Sequence, residues 1–522
     1  MNKIAFYITL IIFSSGVIFS AGAAEIHDLA QKGAVGSVEV ILKKIPGDAN
    51  VADEKGNTPL HCAACAGKSQ MAEFLLKNGA DPNIKNNKGD TPIFMAADKT
   101  SAAELLYKWA DLKVRDADGN TPLHCAVERG KFELVELFVD KNAEVNARNN
   151  FGETPLHLAK DVKIVKFLLE KGADPNITDD DGQTPVYLAK SGDTLKILID
   201  KDIPVTTPNK HGETPLHMVT KTDAVELLIS KNADLNARDN AGNTPSHSAV
   251  AVGNKEVTEL LIKKGADVNS QNASGRTPLF MTTDKKMVEM LIAKGADINS
   301  TDTAGQTPLH NAIAKGAKDI VEYLMSKNAD LNVKDNKGKT ALFLVKDKAM
   351  AETLVAKGAD VNSQDSEGNT PLHEVTSKNI KDMAEFLASS GADINMKNNK
   401  GQTPLHLVKN KEVAELLVTQ NANLKEKDES GQTPLFSAVA RKCNDVAELL
   451  IDKGASMKAR NPEGMTVLHE AVVTGNREMV ELLVSKGIRV NTITKDGKTP
   501  LNLANEAKNA EIIKILEDNG GK

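Results

Sequence analysis

Histidines, cysteines and clustered aspartates are the residues of this chain whose types could carry chemistry. There are eleven histidines, a supply fit for general acid–base work or metal ligation. Nine of them, His61, His124, His157, His217, His247, His310, His373, His406 and His469, hold one recurring place. It is the fourth residue of Thr-Pro-Leu-His or a variant of it. Elsewhere that place holds Phe94, Tyr187, Phe280, Phe343, Phe436 or Asn502. A position that takes a ring of either kind asks for shape and one hydrogen bond, not for a titrating base. Only His27 and His211 fall outside the pattern.

The other candidates fare no better. Cys62 and Cys65 lie three apart on one predicted helix, as a redox or metal pair would, but no second ligand pair follows at zinc spacing. Cys62 and Cys125 each follow a repeat histidine and read as small apolar fillers. Cys443, in a predicted helix–helix turn, reads as an exposed thiol. Asp116-Ala117-Asp118-Gly119 and Asp179-Asp180-Asp181-Gly182 resemble calcium loops. Setting each glycine at loop position six puts Cys125 or Leu188 where the bidentate glutamate belongs. Both therefore read as polar turns. Glycine-rich phosphate loops, HExxH helices and GxSxG elbows are missing from the sequence. No catalytic residue, cofactor or metal is expected.

The elements that position these residues explain them better. The motif begins at Thr58, Thr91, Thr121, Thr154, Thr184, Thr214, Thr244, Thr277, Thr307, Thr340, Thr370, Thr403, Thr433, Thr466 and Thr499, and every step is 30 or 33 residues. Such a period marks an array of stacked units. In residues 117–149, Thr121 caps a helix and Pro122 suits its first turn. This helix A runs to about Arg129, and Gly130 stops it. Helix B follows with an apolar stripe of Phe132, Leu134, Val135, Leu137 and Phe138. Asn142 ends it, and an extended finger turns near Asn149 to Phe151. A glycine precedes each capping threonine by two residues. Proline follows thirteen of the fifteen, with Ala341 and Val467 as exceptions. Glycine or asparagine stops helix B in thirteen repeats, with Trp109 and Asp202 as exceptions.

The two step lengths alternate over most of the chain, giving a 63-residue double unit. The missing three residues fall at the end of helix A. This predicts a helix A alternately long and short by nearly a turn, about 4.5 Å. The alternation breaks at Thr433–Thr466, where two long units follow each other, and at 154–243, where three short units do. In the middle short unit, Pro204 and Pro208 remove backbone donors from the finger. A local kink or a specialised contact is expected near 184–213, with simple drift as the alternative.

"Gly-x-Thr-Pro-Leu-His", a helical hairpin and "Gly-Ala-Asp-x-Asn" together resemble the ankyrin repeat. The resemblance implies an all-α repeat solenoid of about 16 helix-turn-helix units joined by β-hairpin fingers, with fingers and helix A lining a concave, protein-binding face. Residues 25–57 read as an N-terminal capping repeat, 58–498 as fourteen repeats and 499–522 as a C-terminal cap.

Lys3, the apolar stretch Ile4–Phe19 and Ala21-Gly22-Ala23 read as a signal peptide over 1–24. The leader and an Asn- and Lys-rich chain suggest a bacterial protein, periplasmic or extracellular. A net charge of −6 without basic runs argues against nucleic acid and against a membrane surface. A monomeric scaffold for protein partners is expected. A secreted effector acting on host proteins, or an inhibitor or protective partner of a periplasmic enzyme, are the alternatives. Trp109, Phe151 and His211, with Arg148, are the candidate contact residues, because exposed aromatics favour hot spots.

Overall fold

A computed structural model describes residues 21–189, 192–201 and 203–522. Residues 1–20 of the expected leader, and Asp202, lie outside the described residues. The chain divides into two compact units, Met1–Ala273 and Ser274–Lys522.

Each repeat folds as its residues dictate. Thr121 is extended (φ −87°, ψ 165°), and Pro122 opens helix A, Pro122–Glu128. Gly130 turns the chain at φ 67°. Helix B, Phe132–Asp140, buries Leu134, Val135, Leu137 and Phe138. Asn142 leaves it at φ 63°, a left-handed position that asparagine tolerates better than most residues. Helix A packs on its own helix B and on the helix A of neighbouring repeats. The motif leucines Leu60, Leu123 and Leu156 are fully buried between them, each worth roughly 1.5–3 kcal/mol.

Helix A has two lengths. It spans seven residues where a 33-residue step begins, as in Pro59–Cys65, Pro245–Ala251, Pro308–Ala314 and Pro371–Ser377. It spans four where a 30-residue step begins, as in Pro155–Leu158, Pro215–Met218, Ala341–Leu344 and Pro404–Leu407. In two short repeats, Pro92–Met95 and Pro278–Met281, the remnant tightens to a 3₁₀ turn. The last repeat, from Thr499, has the long form.

The fingers differ from the expected β-hairpins: among the described residues none lies in a strand. Each finger is a short turn, too brief for a ladder. Asp116 N–H donates to Asn120 O at 3.1 Å, and one bond reaches the next finger, from Asn150 N–H to Asp118 O at 2.9 Å. That approach demands glycine. At Gly119 (φ 77°) a Cβ would lie 2.7 Å from Asn150 N.

Candidate functional site

The repeat histidines are joints. His61 Nδ1 accepts from the Thr58 backbone N–H at 3.0 Å, so the ring proton sits on Nε2. Nε2 donates to Asp90 O, the carbonyl just before the next capping threonine, at 2.9 Å. His124 bonds Glu153 O and His373 bonds Gln402 O in the same way. Each ring thus caps its own helix and ties it to the following repeat. Burial disfavours the charged form of seven of the rings: it pushes His124 down to about 4 and lowers His61, His157, His310, His373, His406 and His469. His27, outside the sequence pattern, makes the same tie to the next repeat from within helix Ala21–Lys32, its Nε2 bonding Asn57 O at 2.8 Å and Val51 O at 3.1 Å. Tyr187 substitutes its hydroxyl, which donates to Glu213 O at 2.9 Å and contacts Thr207 O.

The aspartate turns are likewise occupied. Asp179 Oδ1 accepts from the N–H groups of Asp181 and Gln183 at 2.9 and 2.8 Å. Asp116 holds Asp118 and Asn120 equally. Among the described residues no cluster of His, Cys, Asp or Glu could hold a metal ion. Burial pushes the Cys62 thiol up to about 11 and Cys125 up to about 12, away from reactivity. Cys443 closes the turn before Asn444–Asp452 and is half-buried, with its Sγ 3.8 Å from the Arg441 carbonyl.

Two further devices rest on polar residues that recur at fixed places in the repeat. The asparagine of Gly-Ala-Asp-x-Asn clamps the next repeat: Asn362 donates to Gly391 O at 3.1 Å and accepts from Asp393 N–H at 2.7 Å. Asn50, Asn83 and Asn146 repeat this. In five short repeats an Asp or Asn seven residues after the threonine caps helix B, namely Asp98, Asp161, Asp284, Asp347 and Asn410, whereas Lys221 holds that place uncapped in the repeat from Thr214. These caps let helix B start without the glycine stop.

The structure brings three of the four candidate contact residues together. Phe151, 57% exposed, stands on the finger tip before Thr154. Its carbonyl accepts from Asp180 N–H of the next tip at 2.9 Å. Arg148 pairs with Asp180 at 3.3 Å and accepts at its carbonyl from Arg115. His211, on the third tip, lies 3.8 Å from Asp181, beyond a hydrogen bond. Arg148, Phe151, Asp180, Asp181 and His211 form one row over three consecutive fingers, and these lead into the three successive short repeats. The divergent finger keeps its tip: Asn209 Oδ1 accepts from His211 and Glu213 N–H, while Ile203 and Val205 are buried.

Trp109 lies elsewhere. It follows helix Lys99–Tyr107 at φ 70° and is 87% exposed, beside Tyr107 at 78%. A bulky residue at such a φ is strained.

Among the described residues, no helix is long and apolar enough to cross a membrane. The family model for ankyrin repeats (three copies) matches in overlapping stretches from 26–110 to 454–522. A transient receptor potential cation channel subfamily A member 1 homolog from Caenorhabditis elegans is 31% identical over 117 residues, 22% of this chain and 10% of that protein. NF-kappa-B inhibitor cactus from Drosophila yakuba is 30% identical over 112 residues, 21% of this chain and 23% of that protein. Neurogenic locus notch homolog protein 1 from Xenopus tropicalis is 32% identical over 118 residues, 23% of this chain and 4% of that protein. The matched stretches therefore span less than a quarter of each of these relatives. With the family model matching nearly the whole length, the helical hairpins and their histidine joints belong to a member of the ankyrin-repeat family.

Proposed function

We propose that this protein is an exported scaffold that binds partner proteins through its finger tips and helix A face, and that it is not an enzyme. Ankyrin repeats typically serve protein–protein interaction. The observation that carries the reading is the exposed row of Arg148, Phe151, Asp180, Asp181 and His211 over three fingers. An aromatic ring flanked by charges of both signs suits a protein hot spot. Exposed Met218 and Val252, at the ends of two helices A, extend the apolar contact area. Trp109 and Tyr107 add a second contact at the end of a helix B.

Export rests on the leader-like composition of residues 1–24, and a periplasmic or extracellular site follows from it. Nucleic acid and membrane surfaces are not among the proposed partners, and the scaffold acts as a monomer. An inhibitor or protective partner of one enzyme, or an effector acting on host proteins, are narrower forms of the same binding mode. One relative is itself named as an inhibitor. Crosslinking in the native compartment followed by mass spectrometry tests the reading. It should recover a protein in stoichiometric amount; recovery of none would overturn it. Fractionation of the same cells should place the chain outside the cytoplasm.

A further inference from the structure

A short helix A leaves a gap, and most such gaps are closed by the following long repeat. Arg129 Nη1 donates to Phe94 O at 2.6 Å, over the end of Pro92–Met95. Arg441 does the same to His406 O, over Pro404–Leu407. Asn254 reaches Thr220 O at 2.9 Å, and Asn311 reaches Phe280 O at 3.2 Å. Each side chain occupies part of the missing turn and satisfies an orphan carbonyl.

The gap above Ala341–Leu344 is different. The following repeat carries Lys378 at the place of Arg129 and Arg441, and Glu374 at the place of Asn311. These two pair with each other at 2.6 Å, and Glu374 also binds Lys339 at 3.1 Å. They are drawn away from the gap. A cleft of about 520 Å³ lies on the other flank of this short helix, between the preceding long helix Pro308–Ala314 and Ala341–Leu344, and the repeat from Thr370 contributes nothing to its lining. On the other flank of that long helix the void is only about 10 Å³.

The floor of the open cleft is apolar: Ile313, Val321, Leu344, Val345 and Met350. Its rim is cationic. Lys318 is neutralised by Asp347 at 2.6 Å, whereas no ion pair among the described residues engages exposed Lys315 or Lys346. This local excess of cations is opposite in sign to the chain's net charge of −6. The neighbouring turn repeats it, with Lys285 and Lys286 against Asp284.

We propose that this cleft docks an acidic segment of a partner protein. One large apolar side chain of the segment enters between Ile313 and Leu344, and flanking carboxylates face Lys315 and Lys346. The proposal rests on the protein-binding reading above and deepens it by naming the chemistry of the partner. The apolar floor supplies affinity, and the two lysines supply orientation and rate of encounter.

The test is panning of phage-displayed random dodecapeptides on the full chain, with counter-selection on the variant K315E/K346E. Both substitutions are at exposed positions, and an unchanged circular dichroism melt verifies the fold. Enriched peptides should be acidic, carry one large apolar residue, and bind the variant at least about tenfold more weakly. Failure to enrich, or enrichment without net negative charge, would overturn the proposal. Self-association of the wild-type chain that K315E/K346E abolishes would also overturn it, in favour of a second copy as occupant. A crosslinked partner that still binds K315E/K346E at full strength would refute the cleft while leaving the scaffold reading intact.

Discussion

At the scale of the residue, the repeat histidine joins three tasks in one ring: helix cap, inter-repeat tie and core filler. Its loss is therefore felt twice. His124→Phe keeps the volume but strips partners from Thr121 and the Glu153 carbonyl, and should cost about 1–3 kcal/mol in urea unfolding. Thr91 shows the consequence naturally: beside Phe94 its buried hydroxyl has no partner. The pH dependence has a definite sign. Unfolded histidine titrates near 6.5, and native His124 near 4. Between those values the unfolded chain binds a proton that the native chain does not, so stability falls as pH is lowered through that window and levels off below it. Complete protonation of His124 alone amounts to about 3 kcal/mol, and six other histidines shift in the same direction. Denaturation midpoints measured from pH 8 to pH 4 should decline, and His124→Phe should flatten the decline. Trp109 offers the opposite test. Trp109→Gly removes a side chain from a left-handed backbone position and should raise the melting point, by up to about 1 kcal/mol of stability.

At the scale of the element, the three-residue deletion is absorbed locally. Helix A loses one turn, an Asp or Asn cap restarts helix B, and a side chain of the next long repeat covers the exposed carbonyl. Arg129→Ala should therefore speed hydrogen exchange in Pro92–Met95, a helix it does not belong to, and cost about 1.5–3 kcal/mol. Equal exchange there in both proteins would refute the compensation. The shortened helix A was legible in the sequence because the residues are missing from one place. Its compensation was not, because Arg129 and Phe94 are 35 residues apart and only packing brings them together. The fingers were misread as β-hairpins for a related reason. Their glycines and asparagines signal a turn correctly, but side-chain carboxylates and amides share the work of holding it with backbone bonds too few to make a strand ladder.

At the scale of the whole molecule, one repeat chemistry accounts for most of what resembled a catalytic inventory. The histidine rings that bond across repeats, the occupied aspartate turns and the asparagine clamps all serve stacking. What stacking leaves unexplained is the surface: the row from Arg148 to His211, the strained Trp109, and the open cleft beside Leu344. Period and motif made the fold legible at once. The surface was only partly so: Phe151 and His211 stood out at tip positions, but their union with Asp180 and Asp181 needed three fingers in register. The claim that this surface binds protein is tested most directly by one number, the dissociation constant of the crosslinked partner for wild-type chain against Phe151→Ala/His211→Ala. Weakening of at least about tenfold with the melting point unchanged is predicted; an identical constant for the two proteins would contradict it.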